Sequence, residues 1–270
     1  MTTAAELGAL AADIAAEAGD LARRRREAGV PLAATKSTLA DIVTEADREV
    51  EELIRGRLRR ERPGDGFLGE ESGAERGATE YTWVVDPIDG TVNYAYGIPG
   101  YSVSIAVVAG EPTPEQWRGV AAAVCAPRLD ELFTAVAGEG AWLDGIRLAV
   151  TTEQPAGALL GTGFGYDPAT HDGDLRTVRR AMTMARDLRR MGSAAIDLAY
   201  VAAGRLDGFF ERGLQPWDFA AGALLIEEAG GVVSRFDTDS RRPLFVAGGR
   251  AVHDRLRELV AGDPPPDDGG

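Results

Sequence analysis

The segment Thr82-Trp83-Val84-Val85-Asp86-Pro87-Ile88-Asp89-Gly90-Thr91 constrains this chain more than any other. Its apolar, β-branched start reads as a buried strand that ends abruptly on two carboxylates. Pro87 has no N–H to give to a sheet and predicts a turn at that point. Gly90-Thr91 predicts the opening of a helix. Two carboxylates three residues apart, straddling a turn, can point into one small volume. Like charges that close repel, so the arrangement calls for a compensating cation. Oxygen-only donors favour a hard ion such as Mg²⁺ over zinc, and the chain has only two histidines. Backbone N–H groups of Gly90 and Thr91 at a helix start would suit a phosphate. The same residues also fit a plainer reading, with Asp89 an N-cap and Asp86 a turn former.

Charge narrows the function classes. The 270 residues carry a formal charge of −14, from 43 acids against 29 bases, and Lys36 is the only lysine. That balance argues against a nucleic-acid partner, which needs a clustered basic surface. The one basic run, Arg23 to Arg26, falls in an alanine-rich helical pattern and reads as a solvated face. No apolar run reaches membrane-spanning length, no signal-peptide pattern opens the chain, and the single cysteine, Cys125, cannot form an internal disulfide. These features point to a cytoplasmic address with no membrane partner. The acids are unevenly spread: residues 65–89 hold seven against Arg76 alone. The tail 263–270 adds three more with nothing apolar to bury and reads as disordered.

The periodicities predict a mixed α/β chain. Helices are expected over 3–28 and 45–60, then short strands at 66–68, 82–85, 102–108, 118–124 and 131–136 in a largely antiparallel sheet. From about 158 the pattern alternates: strand 158–162, helix 172–187, helix 194–203, strand 206–210, helix 216–229, strands near 232 and 244, and a last helix over 251–261. The reading is one catalytic unit over 1–262, with an α+β half to about 150 that carries the acid motif and an α/β half beyond it.

Two further acid positions join the first pair. Glu70 lies in Gly69-Glu70-Glu71-Ser72 after a short strand, and Asp218 opens the helix after Pro216. Each alone is ordinary: Asp218 complements a helix dipole, and Glu70 fits a solvated loop. Their occurrence together with DPIDGT is what carries weight. In these segments the chain resembles the inositol monophosphatase family, in its bacterial inositol-1-monophosphatase branch. The resemblance rests on DPIDGTVNYAYGIPGYSVSIAVV (86–108), GEES (69–72) and QPWDFAAGALLIEEAGG (215–231). LLGTGFGYD (159–167) and RRMGSAAIDLAYVAAGRLDGFFE (189–211) extend it, and the order and spacing match over about residues 5–262.

The resemblance implies a layered α/β/α/β/α fold of the sugar-phosphatase type and Mg²⁺-dependent hydrolysis of a small phosphorylated polyol, myo-inositol 1-phosphate or a related isomer. It also implies two to three Mg²⁺ ions per subunit, inhibition by lithium and a homodimer. Glu70, Asp86 and the Ile88 carbonyl would hold one ion, and Asp86, Asp89 and Asp218 a second. Thr91, oriented by Asp47, would position the attacking water together with Glu70, and the amides of Gly90 and Thr91 would grip the phosphate. Asp89, the Ala194 backbone, Glu211 and Asp218 would hold sugar hydroxyls. Lys36, in a polar loop, matches a family lysine and invites a role near phosphate or metals. Phosphate monoesters hydrolyse extremely slowly unaided, so charge stabilisation must dominate, and two metals would supply it without a covalent intermediate.

Rivals share the same acids. Phosphatases for histidinol phosphate, 3′-phosphoadenosine nucleotides, fructose 1,6-bisphosphate or a cyclitol phosphate would all use Glu70, Asp86, Asp89 and Asp218. Glu211 favours a polyol, and no positive pocket for a second phosphate is evident in the sequence. A regulatory binding protein built on the same fold is the rival from another class. Cys125 reads as a core thiol, His171 and His253 as surface residues, and Gly161 to Gly165 as a strand-ending turn, since it lacks a P-loop lysine.

Overall fold

The computed structural model describes residues 2–29, 45–152, 156–236 and 242–261 in full, and the backbone of 32–35 and 42–44. Lys36 and the acidic tail 263–270 lie outside the described residues. Helix α1 (Ala4–Ala28) opens on a capping box in which Thr3 and Glu6 satisfy each other's backbone N–H. Its alanine-rich face, with Leu7, Ile14 and Ala18 fully buried, lies on the central strands of an eight-stranded sheet. Helix α2 (Glu45–Glu61) packs beside it. Arg23 pairs with Asp20 and Glu27, Arg24 with Asp20 and Arg25 with Glu49, so most of the basic run has acidic partners.

Strands β1 (Leu32–Thr35) and β2 (Ile42–Thr44) form a small hairpin ahead of α2. The large sheet then collects β3 (Gly66–Gly69), β4 (Gly73–Glu75), β5 (Tyr81–Asp89), β6 (Ser102–Gly110), β7 (Trp117–Ala126), β8 (Glu131–Val136), β9 (Gly140–Leu143) and β10 (Ile146–Arg147), in the order β10-β9-β8-β7-β6-β5-β3-β4. All neighbours are antiparallel except β3 and β5. Between β5 and β6 lies a six-residue helix, α3 (Thr91–Tyr96).

The second sheet has five strands in the order β12-β11-β13-β15-β14. They are β11 (Ala158–Thr162), β12 (Ala185–Arg189), β13 (Gly208–Arg212), β14 (Val232–Phe236) and β15 (Leu244–Gly248). Helices α4 (His171–Ala181) and α7 (Arg250–Val260) cover its outer face, burying Leu160, Val246 and Leu256. Helices α5 (Ala194–Ala202) and α6 (Pro216–Glu228) lie between the two sheets. Both are apolar on nearly every side, as a helix packed from both faces requires. The layers are therefore α/β/α/β/α, and the middle core joins Val84, Val108 and Phe133 of one sheet to Leu198, Phe219 and Leu225 of the helices and Phe245 of the other sheet.

Three local readings change. The helix expected over 172–187 stops at Ala181, and Ala185–Arg189 becomes edge strand β12, parallel to β11. Its sequence, ARDLR, carries no β signal; pairing with β11 imposes the extended form. His253 is buried rather than superficial, with Nε2 against Ser234 Oγ and Nδ1 against Asp254, both at 2.9 Å. Pro87 does not end its strand: β5 continues to Asp89. No helix among the described residues is long and apolar enough to cross a membrane.

Candidate active site

Along a regular strand, residues three apart point to opposite faces. In β5, however, Asp86 pairs with Ser104 and Asp89 with Ser102, so three steps on β5 match two on β6. The extra residue is a bulge, sited where Pro87 has no N–H to give the ladder, and it resets the alternation. Asp86 and Asp89 thereby line one pocket. Asp86 Oδ1 accepts from the Ile88 N–H at 3.1 Å, which closes the turn inside the bulge. Gly90 follows with φ +94°, and a Cβ there would meet Gly100 O and Gly192 O at 3.0 Å each, so only glycine passes this point.

The pocket is a cleft of about 410 Å³ between the two sheets. One wall supplies Glu70, Asp86, Ile88, Asp89, Gly90 and Thr91; the other supplies Thr162, Tyr166, Arg190, Ser193, Ala194, Asp197, Glu211 and Asp218. Except for Lys36, which is outside the described residues, and Asp47, every sequence-predicted site residue lies on this lining. Asp47 sits just behind it, 1% exposed at the start of α2, with Thr91 Oγ1 3.4 Å from its Oδ1 and 3.1 Å from Ile88 O. The turn carrying Glu70 is held from behind, where Glu51 Oε2 accepts the Glu71 N–H at 3.0 Å.

The two halves interlock at Asp89. Its Oδ2 accepts from Ser193 Oγ and from the Ala195 N–H, both at 2.6 Å, so it is the anion at the N-terminus of α5. Asp218 Oδ2 in turn accepts from the Gln215 N–H at 2.7 Å in a capping box that opens α6. Burial holds the Asp86 carboxyl well above the usual carboxylate range, and the negative charges of Glu70, Asp89 and Asp218 add to it. Burial and then Asp89 do the same to Asp218. Asp89 is raised by burial although the donors from Ser193 and Ala195 oppose the shift. Farther in, burial pushes Glu211 up to about 8 against the opposing charge of Arg190.

These residues fit a hard cation. Asp86 and Asp218 are raised by neighbouring carboxylates as well as by burial, the acids offer only oxygen donors, and the lining holds neither His nor Cys. Among the described residues, no three such groups converge into a finished coordination shell, so the fit rests on donor chemistry and charge.

Sequence reasoning missed four lining residues. Ser193 carries an ordinary N-cap signal before α5, but its partner Asp89 is 104 positions away. Asp197 lines the pocket at 2% exposure, and its Oδ1 has no hydrogen-bond partner among the described residues. Arg190 and Arg242 also line the pocket, Arg242 bound bidentately to Asp174 at 3.0 Å.

An enclosed acid cluster between two sheets, within five alternating layers, is the arrangement that the resemblance to the inositol monophosphatase family implies. The family model matches residues 3–263, and the chain belongs to that family. It is 46% identical over 228 residues to the inositol-1-monophosphatase of Mesorhizobium japonicum, covering 82% of this chain and 83% of the relative. The Nus factor SuhB of Escherichia coli is 42% identical over 231 residues, covering 84% of each. Among solved structures, the extragenic suppressor protein SuhB of Bartonella henselae superposes with a TM-score of 0.84 at 35% identity, covering 94% of this chain and 98% of the other.

Proposed function

We propose that this chain is a Mg²⁺-dependent phosphomonoesterase that hydrolyses myo-inositol 1-phosphate or a related isomer. One observation carries the reading: Asp86, Asp89 and Asp218, from both sheets' sides of one cleft, are driven toward protonation by burial, and Asp86 and Asp218 by neighbouring carboxylate charge as well. Folding has gathered charges that a bound cation would relieve. The family and the Mesorhizobium japonicum relative support the phosphatase class.

In this reading Glu70, Asp86 and the Ile88 carbonyl hold one ion, Asp86, Asp89 and Asp218 a second, and Glu70 supports a third. Bound Mg²⁺ would supply charge stabilisation for the phosphoryl group and its leaving oxygen. The chain's own groups do the rest. The Thr91 hydroxyl has one proton and two acceptors nearby, Asp47 and Ile88 O. Donation to Asp47 leaves an Oγ lone pair to accept from a water, and the Glu70 carboxylate takes that water's other proton. The backbone amides of Gly90 and Thr91 face the phosphate. Glu211, Asp89, Asp218 and the Ala194 backbone accept from or donate to ring hydroxyls. The hydroxyls of Ser193 and Thr162 are engaged with Asp89 and Phe210 O, which favours direct attack by water over a serine or threonine ester.

Lithium inhibition, a homodimer and a cytoplasmic address complete the reading, and Lys36 is assigned to the phosphate side. Released phosphate measured across inositol monophosphates, histidinol phosphate, 3′-phosphoadenosine nucleotides and fructose 1,6-bisphosphate tests it. Preferential turnover of an inositol monophosphate, abolished by EDTA and restored by Mg²⁺, is the expected result; turnover unaffected by EDTA overturns the metal mechanism. The relative named a Nus factor supports a second role as a binding protein, tested by partners that co-purify equally with an Asp218→Asn variant.

A further inference from the structure

We propose that Asn93 is a positioning residue for Asp89, acting across the two sheets through the 190–193 loop. The inference rests on the assignment of Asp89 as a metal ligand. Asn93 is 8% exposed in α3, one turn past the acid motif. Its Nδ2 donates both N–H groups to backbone carbonyls of other segments, Gly100 O at 2.6 Å and Met191 O at 2.8 Å. A buried amide that gives both protons to two separate loops ties them together, and removing it leaves two enclosed carbonyls unpaired.

The 190–193 loop has one backbone shape that fits. Gly192 lies at φ +93°, and a Cβ there would meet Asn93 Nδ2 at 2.7 Å and Arg190 Nη1 at 2.9 Å. The carbonyl of Gly192 faces Gly90, and Ser193 follows directly. Ser193 then delivers its hydroxyl, and Ala195 its N–H, to Asp89 Oδ2. Ser102, register partner of Asp89 on β6, closes the ring with its Oγ 3.2 Å from Ser193 Oγ. The chain of contacts therefore runs from Asn93 to Met191, along two peptide units to Ser193, and back to Asp89, four residues before Asn93. Both contacts of this ring fall on the same carboxylate oxygen of Asp89, and the Ala194 N–H adds to the hold on its carboxylate. Groups that orient a ligand in this way typically change metal affinity or activity by about 10–100-fold when removed.

The test compares Asn93→Ala, Ser193→Ala, the double variant and Tyr94→Phe with the wild-type chain. Tyr94 neighbours Asn93 but bonds Ala22 O on α1, so its loss reports general loosening of α3. Amide hydrogen exchange at Ala195 reads the junction whether or not the protein turns over any ester. Exchange about 10-fold faster in Asn93→Ala, with Tyr94→Phe at the wild-type rate, is expected; an unchanged rate in Asn93→Ala, or an equal change in Tyr94→Phe, overturns the proposal. Calorimetric titration with Mg²⁺ alone should show affinity weakened about 10-fold in each alanine variant, and the double variant no weaker than the worse single, because both act through one path. Multiplying effects overturn it. A wild-type chain that binds no Mg²⁺ sinks the metal assignment instead, and the Ala195 rates still decide the role of Asn93.

Discussion

Two acids 21 residues apart in sequence, Asp65 and Asp86, behave in opposite ways. The Asp65 side chain is 2% exposed, yet Arg62 donates to it at 2.7 and 3.0 Å, Thr79 at 2.6 Å and Trp83 at 2.9 Å. Burial alone would raise its carboxyl, but these donors outweigh it and hold the group below the ordinary range. Asp86, three residues beyond Trp83, is buried, and the charges among the described residues that act on it most strongly, Glu70, Asp89, Asp218 and Asp47, are negative. The difference separates an acid matched by donors within the fold from an acid whose strongest charged neighbours are other acids. Net charge cannot make that distinction, and neither can burial.

The comparison can be broken at its strongest point first. Asp218→Asn keeps an oxygen for the Gln215 N–H and removes one of the mutually repelling charges. Turnover should fall by about 10³-fold or more, while the melting temperature stays level or rises. Near-native activity in that variant would remove Asp218 from the machinery. At Asp65 the expectation inverts: Asp65→Ala should lower stability by about 3 kcal/mol, because Arg62 is left without its buried partner, and kcat per folded molecule should not move. Urea unfolding monitored beside an activity assay reads both quantities.

Ligand linkage gives the next effect. Saturating Mg²⁺ at about 100 times its dissociation constant should stabilise the wild-type chain by about 2.7 kcal/mol and Asp218→Asn by much less. Equal shifts would place the ion elsewhere. The smallest effect is an acid limb. The folded pKa of Asp65 lies below its ordinary 3.8, so its stabilisation is complete above that value and is lost as pH falls through the folded pKa. The wild-type unfolding midpoint should therefore drop more steeply below about pH 3.8 than that of Asp65→Ala.

Much of the site was legible because its residues are clustered in motifs. The strand before Asp86, the helix start after Pro216 and the turn at Glu70 each carry a local signal, and their joint occurrence pointed to one chemistry. What stayed hidden depends on distant partners. Pro87 reads as a turn, and only the register of β6 shows that it sits in a bulge. Ser193 announces a helix cap but not that its hydroxyl reaches Asp89. Arg190 and Arg242 look like any two arginines until the second sheet brings them to the cleft. In the fold, β12 was missed because an edge strand of polar residues takes its form from its neighbour. His253 was misplaced for a similar reason, since Ser234, its partner, lies across the edge of the sheet.

The anchoring of Asp89 on Ser193 and Ala195 has a consequence for how the molecule comes into being. During synthesis the first sheet can close once residue 147 has emerged, yet Asp89 then lacks both of its donors and Asp218 has not been made. An unfinished chain therefore carries only part of the acid cluster. The full cluster is assembled with the docking of α5 and α6, once both sheets are in place.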